Sequence, residues 1–142
     1  TLLASSAASD VYKDRLNKNE RTNPVHHEET GKAATVKANP YLLKIALKNI
    51  IDNACKYSEK EVDITLSRKD QHLVLEIKDQ GIGIPPEEIE HIFQSFYRGS
   101  NTHDYAGQGI GLSLTLKIVS AYNARLEISS EIEKGTKVRV IF

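Results

Sequence analysis

The stretch "DQGIGIPP", residues 79–86, sets one carboxylate, Asp79, ahead of two glycines and two prolines. A carboxylate offers hydrogen-bond acceptors only, and Gly81 and Gly83 let the backbone approach a partner that any side chain would hold off. A second glycine-rich stretch, "GQGIGL" (107–112), opens a predicted helix. It is neither the phosphate loop GxxxxGK[ST] nor the dinucleotide fingerprint GxGxxG, whose third glycine would fall at Leu112. Exposed N–H groups and the positive end of a helix dipole nonetheless make such a start an anion site. The bland alternative, a flexible turn, accounts less well for three alternating glycines.

A third group lies on a helix. At 100° per residue, Asn49, Asn53 and Lys56 fall within about 60° of one another, beside an apolar stripe. Amide oxygens suit a hard cation such as Mg²⁺, which keeps substrate phosphates and waters in its shell. A lysine one turn on can set a point charge on a phosphate. Taken alone, solvated boundary residues are the better explanation of this stripe.

The elements carrying these groups can be read from pattern. Asn39-Pro40 is a helix start, and the helix runs to about Tyr57 or Ser58, with Leu43, Leu47, Ile50, Ala54 and Tyr57 inward and Lys44, Lys48, Asp52 and Cys55 toward solvent. Alternation over "VDITLSR" (62–68) and "LVLEIKD" (73–79) predicts an antiparallel hairpin that ends at Asp79. "PEEIEHIFQSFY" (86–97) has Ile89, Ile92, Phe93 and Phe96 at helical spacing, with Phe93 and Phe96 expected to pack that helix. The helix over 107–122 is apolar on most sides and is expected to be deeply buried, and strands over 125–130 and 136–142 flank a turn at Glu133-Lys134-Gly135. Residues 24–38 hold two short extended candidates around Thr30-Gly31, and residues 1–23 read as a linker or the end of an upstream helix. The fold class is α+β: a two-layer sandwich with a mixed, mostly antiparallel sheet and its helices on one face.

The whole chain sets bounds on these readings. Its 142 residues suit one domain with a real core. Nineteen basic residues balance nineteen acidic ones, which argues against a general nucleic-acid binder. No apolar run approaches the roughly 20 residues that span a bilayer, no signal peptide is recognisable, and Cys55 stands alone, as in a reducing compartment. The expectation is a cytoplasmic fragment with no direct membrane contact.

"LKNIIDNACKYS", "DQGIGIPP", "IFQSFYRG" and "GQGIGLSL", in that order, resemble the asparagine box, first glycine box, F box and second glycine box of the ATP-binding domain of sensor histidine kinases. The resemblance spans about residues 39–142 and extends to the superfamily of gyrase, heat-shock chaperone and mismatch-repair ATPases, whose fold is the two-layer sandwich above. It implies ATP and Mg²⁺ as ligands. Asp79 would accept the exocyclic amine of adenine, with Gly81, Gly83 and Ile84 against the base and sugar and Tyr57 stacked on the base. Asn53 would be the main magnesium ligand, assisted by Asn49 and Gln108. Lys56 and Arg98 would meet phosphate, although a solvated surface arginine is the rival for Arg98. Gly107, Gly109, Ile110, Gly111 and Leu112 would bring backbone donors to the phosphates, and Thr136 would support the adenine pocket. Residues 98–106 would form a lid, with Ala106 where many relatives carry glycine and "YNARL" (122–126) where a histidine and paired glycines often stand.

The superfamily's ATPases place a glutamate one turn before the central asparagine as general base. Here that position is Asn49, and an amide takes no proton at neutral pH. Phosphoryl transfer to a nucleophile brought by another element is therefore favoured over hydrolysis, with Asn49 and Arg98 as the candidates for a catalytic part. None of His26, His27, His72, His91 or His103 has the context of the family's acceptor histidine. "HHEE" (26–29) reads as a solvated strand, since adjacent residues of a strand face opposite ways. The implied partners are a histidine-bearing dimerisation domain upstream, a response regulator and a second copy of the full-length protein, membrane-anchored as a sensor. A superfamily ATPase, an anti-sigma-type serine kinase and a nucleotide-holding regulatory module are the alternatives.

Overall fold

The computed structural model describes residues 2–3, 7, 10–11, 13, 25–29, 35–102, 109 and 111–142. In chain order these form β1 (Leu2–Leu3), β2 (Val25–Glu29), β3 (Thr35–Val36), α1 (Pro40–Lys56), β4 (Val62–Lys69), β5 (His72–Lys78), a 3₁₀ turn (Pro86–Glu88), α2 (Gly111–Ala121), β6 (Arg125–Glu131) and β7 (Gly135–Ile141).

Helix α1 starts where its cap requires. Asn39 Oδ1 accepts the N–H groups of Tyr41 at 2.9 Å and Leu42 at 3.3 Å, while Pro40 occupies a position that needs no donor. The Tyr122 hydroxyl accepts Asn39 N–H at 3.0 Å, tying the start of α1 to the turn after α2.

The main sheet has the order β2-β4-β5-β7-β6, antiparallel except for the parallel β2–β4 pair. Alternation decides which face is apolar: Ile64, Ile77, Val138 and Ile128 lie side by side across four strands, as do Leu66, Leu75, Val140 and Leu126. These rows face the helices and join Leu43, Leu47, Ile50 and Ile51 of α1 and Val119 of α2 in one core. The opposite face carries Thr65, Glu76, Arg139 and Glu127 in register, with Arg139 Nε donating to Glu76 at 2.8 Å. The β4–β5 reversal is tight because Asp70 and Gln71 both take positive φ, 48° and 68°, matching strand twist. A smaller sheet pairs β1 with β3 antiparallel, so β2 and β3 are not partners. The Thr30-Gly31 turn lies outside the described residues.

Three expectations change. Cys55 is buried at 1 % exposure, not on a solvent face. The flank of α1 that carries it is covered: Asp10 lies 3.0 Å from Lys44, and Ala7 and Val11 enter the same core cluster as Cys55. Helix α2 is less buried than its composition suggests. Only Thr115, Ile118 and Val119 are buried, and Leu114 is 45 % exposed, because a single face meets α1 and the sheet.

The third change is in residues 86–97, which do not form a regular helix. His91, Gln94 and Tyr97 donate to carbonyls three residues back, at 2.9, 3.0 and 3.1 Å, in successive tight turns. Of the apolar stripe, Ile92 is buried, but Phe96 is 74 % exposed with φ of 68°. The far end is drawn out of helical geometry by Phe96 N–H, which donates to Gly109 O at 2.8 Å.

Candidate functional site

Between α1 and the ends of β5 and β7 lies a cavity of about 370 Å³, closed by residues 82–84, 97–99, 101–102 and the start of α2. From α1 it receives Asn49, Asp52, Asn53 and Lys56, with Tyr57 at the helix end. Asn49 to Tyr57 spans about 12 Å of helix at 1.5 Å per residue. Asn49 Nδ2 donates to Gly111 O at 3.3 Å, which joins α1 to α2 at one end of this row. The Asn53 side chain makes no hydrogen bond among the described residues. Lys56 Nζ stands 5.0 Å from the centroid of the Tyr57 ring, a cation–π distance.

Asp79 enters at the Tyr57 end. Its Oδ1 accepts two backbone N–H groups, Gly81 at 2.9 Å and Thr136 at 3.1 Å, while Oδ2 has no donor among the described residues. Burial pushes this carboxyl above the usual carboxylate range, and the N–H groups of Gly81 and Thr136 partly oppose the shift. The result is a buried acceptor, 8 % exposed, with one oxygen unmatched beside an open cavity.

The glycines act differently from the first expectation. A Cβ at Gly81 would lie 2.1 Å from Tyr57 O, so the close approach is to the protein's own backbone. Gly81 sits behind Asp79 and does not line the cavity. Gly83 does line it, with φ of 72° and the carbonyl of Glu131 where a Cβ would go. The loop is stitched down by Ile82 N–H to Tyr57 O at 3.1 Å and Glu133 N–H to Ile82 O at 2.9 Å.

Asn49, Asn53, Lys56, Tyr57, Asp79, Gly83, Ile84, Arg98, Gly109, Gly111, Leu112 and Thr136 thus meet at one cavity. Gly107, Gln108 and Ile110, with residues 103–106 of the expected lid, lie outside the described residues. Asp52 reaches the cavity although its helical angle pointed it to solvent. Sequence reasoning missed Ser130, whose Oγ accepts Ile84 N–H at 2.8 Å and bonds Thr136 Oγ1 at 2.8 Å. It also missed Glu88 and Asn101, which organise residues 97–102. Nothing local marks Ser130, which is 46 residues from its partner Ile84.

This fold and this cavity define a class. Residues 38–142 match the family described as histidine kinase-, DNA gyrase B-, and HSP90-like ATPase, and the chain belongs to that family. Within it, the chain is an ATP-binding catalytic domain of the sensor histidine kinase type. The signal transduction histidine-protein kinase ArlS of Staphylococcus aureus (strain USA300) is 33% identical over 141 residues, covering 94% of this chain and 31% of that protein. The chain therefore spans about a third of the length of the curated relatives it matches. Among solved structures, a mycobacterial sensor histidine kinase, MprB, superposes with a TM-score of 0.79 at 26% identity, over 99% of this chain and 92% of that one. Full-length ShkA, solved in complex with AMPPNP, has a TM-score of 0.82 at 21% identity, over 96% of this chain and 29% of that one, which is a likeness of fold.

Proposed function

We propose that this domain binds ATP with magnesium and transfers the γ-phosphoryl group to a histidine carried on a separate dimerisation domain. The observation that carries the reading is Asp79, which lines the cavity: one carboxylate oxygen is saturated by backbone N–H groups and the other has no donor among the described residues. An unmatched buried acceptor is costly. The exocyclic amine of adenine would satisfy it, whereas guanine presents a carbonyl at that place. Tyr57 would stack on the base, with Gly83, Ile84 and Thr136 around it.

At the α2 end, Arg98 and the backbone of Gly107, Gly109, Ile110, Gly111 and Leu112 would hold the phosphates, with Lys56 reaching them from the flank of α1. Asn53, Asn49 and Gln108 are oxygen donors of the kind a hard divalent cation takes, and the Asn53 amide, which makes no hydrogen bond among the described residues, fits that use. Bound magnesium would offset charge on the β and γ phosphates. In the transfer, an imidazole nitrogen bonds to the γ phosphorus, the bond to the β–γ bridging oxygen breaks, ADP leaves and the imidazole proton passes to solvent. The chain's contribution is to hold and orient the triphosphate. Asn49, in place of a carboxylate base, leaves water unactivated.

In this reading residues 24–142 are the catalytic domain and residues 1–23 a linker or the end of an upstream helix. The whole protein would be a homodimeric, membrane-anchored sensor with its kinase in the cytoplasm, passing phosphate to a response regulator. Among the described residues no helix is long and apolar enough to cross a membrane. Calorimetric titration with ATP and Mg²⁺ tests the binding. Incubation with a separately produced acceptor domain tests the transfer: acid-labile phosphate on that domain supports it, while free phosphate or acid-stable phosphoserine overturns it.

A further inference from the structure

Glu88 lies outside the cavity wall, yet its carboxylate grips both ends of a segment that forms that wall. Oε1 accepts the Tyr97 hydroxyl at 2.8 Å and the Ser100 N–H at 2.9 Å, and Oε2 accepts the Ser100 hydroxyl at 2.9 Å. Tyr97-Arg98-Gly99-Ser100 is thereby held as a turn. Inside it, Gly99 O accepts the N–H and hydroxyl of Thr102 at 3.1 and 2.7 Å, and Arg98 Nη2 donates to Thr102 O at 2.8 Å. Asn101 Nδ2 then donates to Gly83 O at 3.0 Å, binding the turn to the first glycine loop.

None of residues 97–100 belongs to the buried core, so this network orders a rim and does not build the fold. Single exposed carboxylate contacts contribute little to stability. Here three donors converge on one group that stands on a proline-started 3₁₀ turn, which fixes the relative placement of Tyr97 and Ser100. The Tyr97 hydroxyl and the Ser100 donors also hold the Glu88 carboxyl below its ordinary range, which keeps it ionised at neutral pH.

Resting on the nucleotide reading above, we infer that Glu88 is a positioning residue for Arg98: it presents the arginine to the triphosphate and so sets the affinity for phosphates, not for the base.

The test is calorimetric titration of ATP and adenosine into wild type, Glu88→Ala, Glu88→Gln, Arg98→Ala and the Glu88→Ala/Arg98→Ala double variant. Glu88→Ala is expected to weaken ATP by about tenfold with adenosine unchanged. Glu88→Gln, which keeps an acceptor, recovers part of the loss. The double variant loses no more than Arg98→Ala alone, the non-additivity of a residue acting through another. Equal weakening of adenosine and ATP, or full additivity with Arg98→Ala, would overturn the inference. Asp79→Asn, run in parallel, separates the two levels. If it leaves both ligands bound as in wild type, the base-recognition reading falls; if it abolishes both while Glu88→Ala leaves the ATP-to-adenosine ratio unchanged, only the role of Glu88 falls.

Discussion

Asp79 and Thr136 hold one another twice: the Asp79 N–H donates to Thr136 O at 2.9 Å, and the Thr136 N–H returns to Asp79 Oδ1 at 3.1 Å. This exchange fixes a carboxylate at the junction of β5 and β7, with Gly135 leaving room behind it. The other oxygen takes no donor among the described residues, and Asp79 lines the cavity.

Replacing Asp79 with Asn keeps an oxygen for Gly81 and Thr136 and turns the other position into a donor. Adenine-nucleotide affinity should fall by about 10- to 100-fold, the range of a charged hydrogen bond worth about 1.5–3 kcal/mol. The fold should persist. Titration calorimetry with a circular dichroism spectrum checks both, and wild-type affinity in Asp79→Asn would refute the base contact.

The pH dependence follows from the direction of the Asp79 shift. Burial raises this carboxyl in the folded state. Its stabilising contribution is therefore full below the ordinary Asp range of about 3.9 and is lost as pH rises through the raised folded value. Asp79→Asn removes that loss, so without nucleotide its melting temperature should gain on wild type between about pH 3 and about pH 7. Glu88, whose carboxyl is lowered first of all by the Tyr97 hydroxyl, runs the other way: its contribution is present above the ordinary Glu range and is lost as pH falls through its depressed value. A melting difference between wild type and Asp79→Asn that stays flat with pH would contradict the burial of this charge.

Gly81→Ala and Gly111→Ala should behave differently although both sit in glycine-rich motifs. At Gly81 the added Cβ would meet Tyr57 O at 2.1 Å, forcing the first loop away from α1; at Gly111 its nearest contact is Asn49 at 3.6 Å. Gly81→Ala is expected to cost about 1–3 kcal/mol, and Gly111→Ala to change stability by under about 1 kcal/mol. Chemical denaturation of the two variants decides this.

Ser130→Ala strips the Ile84 N–H of its acceptor and Thr136 of its hydroxyl partner. A loss of about 1–2 kcal/mol in stability is expected, with weaker nucleotide binding because the first glycine loop is no longer tied to β6. Faster hydrogen exchange at the Ile84 amide would mark the change directly; unchanged exchange would show the tie to be dispensable.

Asn53→Ala removes an amide that makes no hydrogen bond among the described residues and should abolish magnesium-dependent tightening of ATP while adenosine binds as before. Titrations with and without Mg²⁺ read this, and equal magnesium dependence in the variant would exclude Asn53 as a ligand.

Much of this architecture could be read from short windows. Asn39-Pro40 and the spacing of Leu43, Leu47 and Ile50 specify α1, because cap and stripe act within a few residues. Alternation in 62–69 and 72–78 specifies a hairpin for the same reason. The shared flank of Asn49, Asn53 and Lys56 is visible in helical spacing, and the fold brings that flank and Asp79 to one cavity.

Other features depended on partners far along the chain. Residues 86–97 have the period of a helix but adopt tight turns, since Phe96 is drawn to Gly109 and Glu88 to Tyr97 and Ser100. Cys55 is buried because a flank of α1 that looks polar in sequence is covered by the segment bearing Ala7, Asp10 and Val11. The parallel pairing of β2 with β4 and the anchoring of Ile84 by Ser130 are likewise long-range. Caps, periods and motif spacing are governed by interactions within a helical turn or one strand, so they are visible in the order of residues. Which faces become covered, and which loop lends a hydroxyl to which backbone, is governed by the packing of segments dozens of residues apart.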